Sequence, residues 1–393
     1  MAEILYFSEL NDFCRKYYIG ESGTIYPNQR ELFQDSHLMT AKILENLLLF
    51  DTVAIKVYGE NIPLAILVRM FGVKGVEALI EQGALRFVLW NIMITHLVDE
   101  IPGIEPLQSG ALNSPIHSKP KESIEAGFQW LPEQITRREK KTLLRKVRDI
   151  YIIPDKELAR KSIDIVRSAY NSGKLEPYGL NSKNEQYIEL NLKKRSIVCK
   201  CADELSQYAF LMGNGFTTLS NFEFYKMFND SSRKLYNSAQ LQDSFTELCT
   251  LENIPNFGAI LPRIKDPFNN VVKLRNKNSS IKFRKWLSER TSSDSYIPIT
   301  KEYIDVIANA QGFFETIKGR ITKTIAMSAI GAGVGTIISN SVGGAALGGA
   351  VGALLCPTAD LGLDLLDEFV LSGLRKGWTP KIFFDNIEKL KRK

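Results

Sequence analysis

Apolar side chains recur at helical spacing in "MTAKILENLLL" (39–49), and the pattern then shortens to the β-branched content of "DTVAIKV" (51–57). "NIPLAILVRMFG" follows, with Pro63 placed for the first turn of a helix and Gly72 for its end. A second short helix over 73–83 closes at Gly83, and "ALRFVLW" (84–90) reads as another strand. Strand, helix, helix, strand predicts a small α/β module. Helices must cover its sheet, because two strands alone do not hold together in water.

From Pro102 to Pro120 the pattern breaks into Pro, Gly, Ser and Asn, which predicts a domain boundary. Beyond it the periodicity is almost wholly helical, over 121–149, 154–171, 184–213, 234–250 and 266–290. "TSSDSYIP" (291–298) reads as a second linker. A long helix then starts at 299, with Thr300 as its N-cap and Glu302 near the positive end of the dipole. The expected fold is mainly α: an α/β module (1–102), a linker (103–120), a helical domain (121–290), a linker (291–298) and a helical C-terminal region (299–393).

The C-terminal region holds the least ordinary stretch. Residues 324–359 are 36 consecutive uncharged positions, and eight glycines lie between Gly331 and Cys356. As one straight helix they would run about 54 Å, well past a hydrocarbon core of ~30 Å. Asn340 and Ser341, beside Gly343 and Gly344, mark a turn, so a hairpin over 325–355 is the expected form. Gly331 and Gly335 in one arm, and Gly344, Gly348 and Gly352 in the other, recur every four residues. That spacing clears a groove in which two helix backbones approach closely. Lipid does not follow automatically. Only seven of the residues in 337–355 are Ile, Leu or Val, worth roughly −3 kcal/mol towards insertion. Lys318, Arg320 and Lys323 before the segment suit an anionic leaflet, and the acidic helix over 361–374 could shelter it.

Composition narrows the classes. The content is 44% hydrophobic and 24% charged, as in globular proteins, and the net charge of +6 permits an anionic partner without demanding one. Five cysteines without a CxxC pair speak against a disulfide framework and for a reducing compartment. No apolar run with a cleavage site opens the chain, so a cytoplasmic protein is expected, peripheral to or inserted at the inner membrane if the hairpin engages lipid.

Candidate chemistry is sparse. Arg30 and His37 are seven residues apart, as in some helical ribonuclease domains, but the spacing alone is cheap and an ordinary surface pair is the stronger reading. His117 and Lys119 lack the downstream Asp of a phosphohydrolase motif, and His96 reads as a core-edge histidine. No P-loop, nucleophile elbow, zinc-protease or dinucleotide motif occurs, so no catalytic residue, cofactor or metal is assigned. "RREKKTLLRKVR" (137–148) sets seven positive charges against one negative. Its apolar stripe of Leu143, Leu144 and Val147 turns Arg137, Arg138, Lys141, Arg145 and Arg148 outward. A solvated face is the plain reading, and contact with an anionic partner the sharper one.

In "VVKLRNKNSSIKFRKWLSER" (271–290), Phe283, Trp286 and Leu287 share one helix face with Lys282, Arg284 and Lys285 around it, and Asn278 or Ser279 is placed to cap the helix. "LRNKNSSIKFRKWL", with "LLLFDTVAIKV" early and "LDEFVLSGLRKGWTPKIFF" late, resembles uncharacterised bacterial proteins that join an arginine-rich FRxW segment to a glycine-rich C-terminal region. The resemblance implies a prokaryotic origin and a place among mobile-element or phage-defence genes, and carries no catalytic residue. The leading expectation is an effector-type protein, without enzymatic activity, whose glycine-zipper hairpin associates with an anionic membrane as a homo-oligomer. A soluble interaction protein with the hairpin buried against itself or a protein partner stands beside it. A nucleic-acid-directed protein comes third, because the basic helix lacks interleaved aromatics.

Overall fold

The computed structural model describes residues 4–20, 29–96, 107–182, 190–218, 224, 266–291, 383, 386–387 and 389, with the side chains of 286–291 left aside. Two compact units divide the chain, Met1–Ala239 and Gln240–Lys393. The described protein is predominantly helical with a small parallel sheet towards its N-terminus.

The sheet has five parallel strands in the order β6-β3-β2-β1-β7. They are β1 (Ile4–Phe7), β2 (Thr52–Val57), β3 (Leu85–Leu89), β6 (Tyr151–Ile152) and β7 (Phe216–Thr218). β2 and β3 lie where the β-branched runs predict them. β1, β6 and β7 add to that pair: β1 registers Tyr6 against Ala54 on one side and Thr218 on the other. Along the chain the strands step outward from β1 to β6, and the last connection returns to lay β7 on the far side of β1. The order therefore reverses at the β1/β7 boundary, the place where open α/β sheets present their ligand crevice.

Parallel strands need helical crossovers, and both faces of such a sheet are buried. Tyr6, Ala54, Val88 and Trp90 on one face pack with Ala159 of α7 (Glu157–Asn171) and with Tyr208, Phe210 and Leu211 of α8 (Leu192–Asn214). Residues of the other parity, Leu5, Phe7, Val53, Ile55, Phe87 and Leu89, are equally buried. On that side run α1 (Glu9–Cys14), α2 (Gln29–Leu49), α3 (Ile62–Glu81), α5 (Pro120–Gly127) and α6 (Arg137–Arg148). In α3 the chain reads as one element, but Gly72 (φ 66, ψ 170) is non-helical. The two-helix expectation, with a break at Gly72, is correct in substance.

Of the segment expected as a linker, 103–120, residues 107–120 carry structure. β5 (Leu107–Ala111) pairs antiparallel with β4 (Ile92–His96), and α4 (Pro115–Ser118) follows. Leu107 joins Ile163, Val166, Tyr170, Val198 and Ala202 in a core between α7 and α8. Residues on both sides of 103–120 thus build one unit, and the stretch beyond 120 supplies two strands of the same sheet. The helix expected over 121–149 is split into α5 and α6, with "FQWLPEQIT" between them.

In the second unit, α9 (Pro267–Arg275) and α10 (Asn278–Thr291) form a compact corner. Asp266 accepts from the Asn269 N–H (3.4 Å), and the Ser280 hydroxyl donates to the Leu274 carbonyl (2.7 Å). Phe283 stacks on Phe383 with centroids 4.0 Å apart. Arg284, one of the cations expected around the Phe283 face, is buried and donates to the Arg275 carbonyl at 3.2 Å. The glycine-zipper hairpin over 325–355 lies outside the described residues.

Candidate functional site

α1 leaves the carboxyl end of β1 at once: the Ser8 carbonyl accepts from the N–H groups of Asn11 (2.9 Å) and Asp12 (3.2 Å). The helix continues as a π-helical turn, Arg15–Ile19, that ends at a left-handed Gly20. Such turns alter side-chain direction and recur at functional sites. This one sends Arg15 towards the loop after β2 and Lys16 towards α2.

On the β2 side, Asn11 Oδ1 accepts from the Tyr58 N–H (3.1 Å), and Arg15 Nη1 donates to the Tyr58 carbonyl (3.0 Å). The guanidinium lies 4.5 Å over the Tyr58 ring, whose other neighbour is the His117 imidazole, edge-on at 4.9 Å. Gly59 adopts φ +79, and a Cβ there would sit 3.1 Å from His117 Nε2, so glycine both makes the turn and admits the ring. Behind this row, Ser123 Oγ donates to the Gly59 carbonyl (2.6 Å) and Asn61 Nδ2 donates to the Tyr151 hydroxyl (2.6 Å). His117 Nδ1 is buried without a hydrogen-bond partner. Burial lowers the His117 pKa, Glu60 opposes that shift and Arg15 adds to it, so the ring is neutral at pH 7. The row offers a polar ligand a cation, an aromatic face and a neutral imidazole.

On the α2 side, a cleft of about 280 Å³ opens between two helical walls. Glu9, Asp12 and Phe13 form one wall, with Lys16 and Tyr17 beyond them; Asp35, Leu38, Met39 and Lys42 form the other. Lys16 Nζ reaches Glu31 (2.5 Å) and Asp35 (3.3 Å), and the Tyr17 hydroxyl donates to Asp35 and to Glu31. These contacts raise the Lys16 pKa, chiefly through Glu31, and lower that of Asp35, chiefly through Tyr17. On the opposite face of β1, burial raises the Tyr6 pKa, and Asp203, Asp12 and Glu9 push it further. An apolar floor flanked by charge of both signs suits a compact polar ligand with an apolar portion.

The residues predicted from sequence lie elsewhere. Arg137, Arg138, Lys141, Arg145 and Arg148 are all exposed on α6, while Leu143 and Val147 beneath them are fully buried. Gly331, Gly335, Gly344, Gly348 and Gly352 lie outside the described residues. Arg30 and His37 are exposed on α2, which is helical there. His96 stands at the end of β4, half-buried, as a core-edge histidine would. His117, placed in the linker by its sequence context, closes on Gly59 at the carboxyl edge of the sheet. Cys199 is half-buried and Cys201 fully buried; burial first, and Glu204 second, push the Cys201 thiol up to about 12. Among the described residues no group of three or more His, Cys, Asp or Glu is placed to hold a metal ion, and no helix is long and apolar enough to cross a membrane.

The cleft and the Arg15 row were not legible beforehand. "ELNDFCRKYY" is polar at the spacing of a helix face, but its partners lie 14 to over 100 residues away. Compared with family models, curated proteins and solved structures, the chain gives no match.

Proposed function

We propose that this chain is a prokaryotic effector that acts by binding. In this reading the N-terminal α/β unit recognises a ligand or partner, and the glycine-zipper segment (325–355) delivers the output at a membrane as an oligomer. One observation supports the recognition half above the others: the α1/α2 cleft is walled by the helix that leaves the carboxyl end of β1, one of the two strands at which the sheet order reverses, and open α/β folds bind ligands at such reversals. The output half rests on the sequence, on the four-residue glycine spacing and the basic flank at Lys318, Arg320 and Lys323.

Flotation of the full chain with anionic liposomes, with dye release measured in parallel, tests the output. Gly348→Leu fills the groove and should abolish release while leaving the N-terminal unit's melting transition in place. Equal release by the variant, or no flotation under any condition, would turn the assignment to a soluble interaction protein. A specific observation already favours that second reading: α2 exposes Phe33 (76%) and Leu38 (59%), apolar groups suited to a protein contact.

A further inference from the structure

Helix α6 gathers five exposed cations on one face. At 3.6 residues per turn, Arg137, Arg138, Lys141, Arg145 and Arg148 fall within an arc of about 100° and along a rise of about 16 Å. Arg148 reaches Asp149 at 3.4 Å. The side chains of the other four make no hydrogen bond or ion pair with any described residue. The acids that might have neutralised them are committed behind the strip. Glu139, the helix's own acid, closes the capping box: it accepts from the Thr136 N–H (2.8 Å) and hydroxyl (2.7 Å). Glu77 and Glu81 of α3 take Lys146, the cation on the inner side, at 3.6 and 2.7 Å.

We propose that this face of α6 binds the phosphate backbone of double-stranded nucleic acid. Its four arginines present forked guanidinium groups that match phosphate oxygens in a way an ammonium does not. Arg137, Lys141 and Arg145 recur at one helical turn, about 6 Å apart, which suits a regular array of phosphates along a strand. The strip is held stiffly, by the cap at one end and by Leu143, Val147 and Lys146 underneath, so little ordering accompanies contact.

Two alternatives fit less well. A helix that lies on a lipid surface couples its cations to apolar groups that enter the bilayer. None of the exposed large apolar side chains described lies on α6. Single-stranded nucleic acid is held by aromatic stacking as well as charge, and α6 has no aromatic residue. A rigid, purely cationic face is the form of backbone contact that reads duplex shape and charge without sequence. The proposal is independent of the reading of the glycine-rich segment and adds a recognition surface to it.

The test uses the full chain and a labelled DNA duplex of mixed sequence, with binding followed by anisotropy between about 50 and 200 mM salt. Four to five phosphate contacts predict a slope of log K against log salt of about −4. Arg145→Gln should reduce the slope by about one. R137Q/R138Q/K141Q/R145Q should reduce it by about three to four and weaken binding at least tenfold at low salt. All four positions are exposed, so circular dichroism should report an unchanged melting transition. A duplex that fails to bind at 50 mM salt, or a slope unchanged by the four substitutions, overturns the proposal. So does preferential binding to vesicles containing phosphatidylserine, lost in the same variant, which would assign the face to lipid.

Discussion

Two stretches of the N-terminal unit are dense in charge, and they dispose of it in opposite ways. In the α1/α2 region, Lys16, Glu31, Asp35 and the Tyr17 hydroxyl satisfy one another across two helices, and Arg15 is bonded to a carbonyl and stacked on a ring. On α6 the internal acids are spent on the cap and on Lys146, and four cations remain without a partner among the described residues. Charge that is neutralised inside the fold shapes a cleft. Charge that is left over at the surface is available to something outside it. A count of lysines and arginines cannot separate these cases, because the partners of Lys16 come from 15 and 19 residues further along.

The contrast depends on α6 being anchored, and the largest effect should come from removing the anchor. Leu143 is fully buried beneath the strip. Leu143→Ala should destabilise the unit by about 2–5 kcal/mol, read from the denaturant midpoint. A change under 1 kcal/mol would mean that α6 is not tied to the body. Next comes the cap. Thr136→Ala removes the hydroxyl half of the capping box, leaving the residue-136 N–H on Glu139, and should cost about 0.5–2 kcal/mol, with exchange of the Glu139 amide accelerated in hydrogen-exchange measurements.

The smallest effect belongs to the other side of the comparison. His117 has its pKa lowered by burial, so below about pH 6.5 and down to the folded-state pKa the unfolded chain binds more protons there than the folded one. Stability should be at its full value above about pH 6.5 and should fall as the pH drops through the folded-state pKa. His117→Asn should flatten that segment of the thermal-shift profile while leaving duplex binding unaltered. An identical pH profile in the variant would remove His117 from the account.

What the sequence disclosed follows physical lines. β2 and β3 were legible because each is a run of five or six residues with strong apolar content. β6 and β7 have two and three residues, and nothing local marks them. They are strands because β3 and β1 offer edges to pair with. β1 pairs with β7 across more than 200 residues of chain, so the extent of the sheet was hidden even though its centre was plain. The outward face of α6 was legible from Leu143 and Val147, whose burial fixes the orientation of everything else on that helix. Its lack of partners was not. The site at the carboxyl edge was missed entirely, since Arg15, Tyr58 and His117 meet only through the β1-α1 and β2-α3 turns and the segment first taken for a linker.

The central claim is that location, not net charge, decides which cations are available. The most direct measurement compares Lys16→Gln with Arg145→Gln in the full chain, each of which removes one positive charge from the same unit. At equal salt, Arg145→Gln should weaken duplex binding several-fold and lower the salt slope by about one, and Lys16→Gln should leave both as in the parent. Equal losses in the two variants would show that the duplex responds only to the total charge, and would contradict the account.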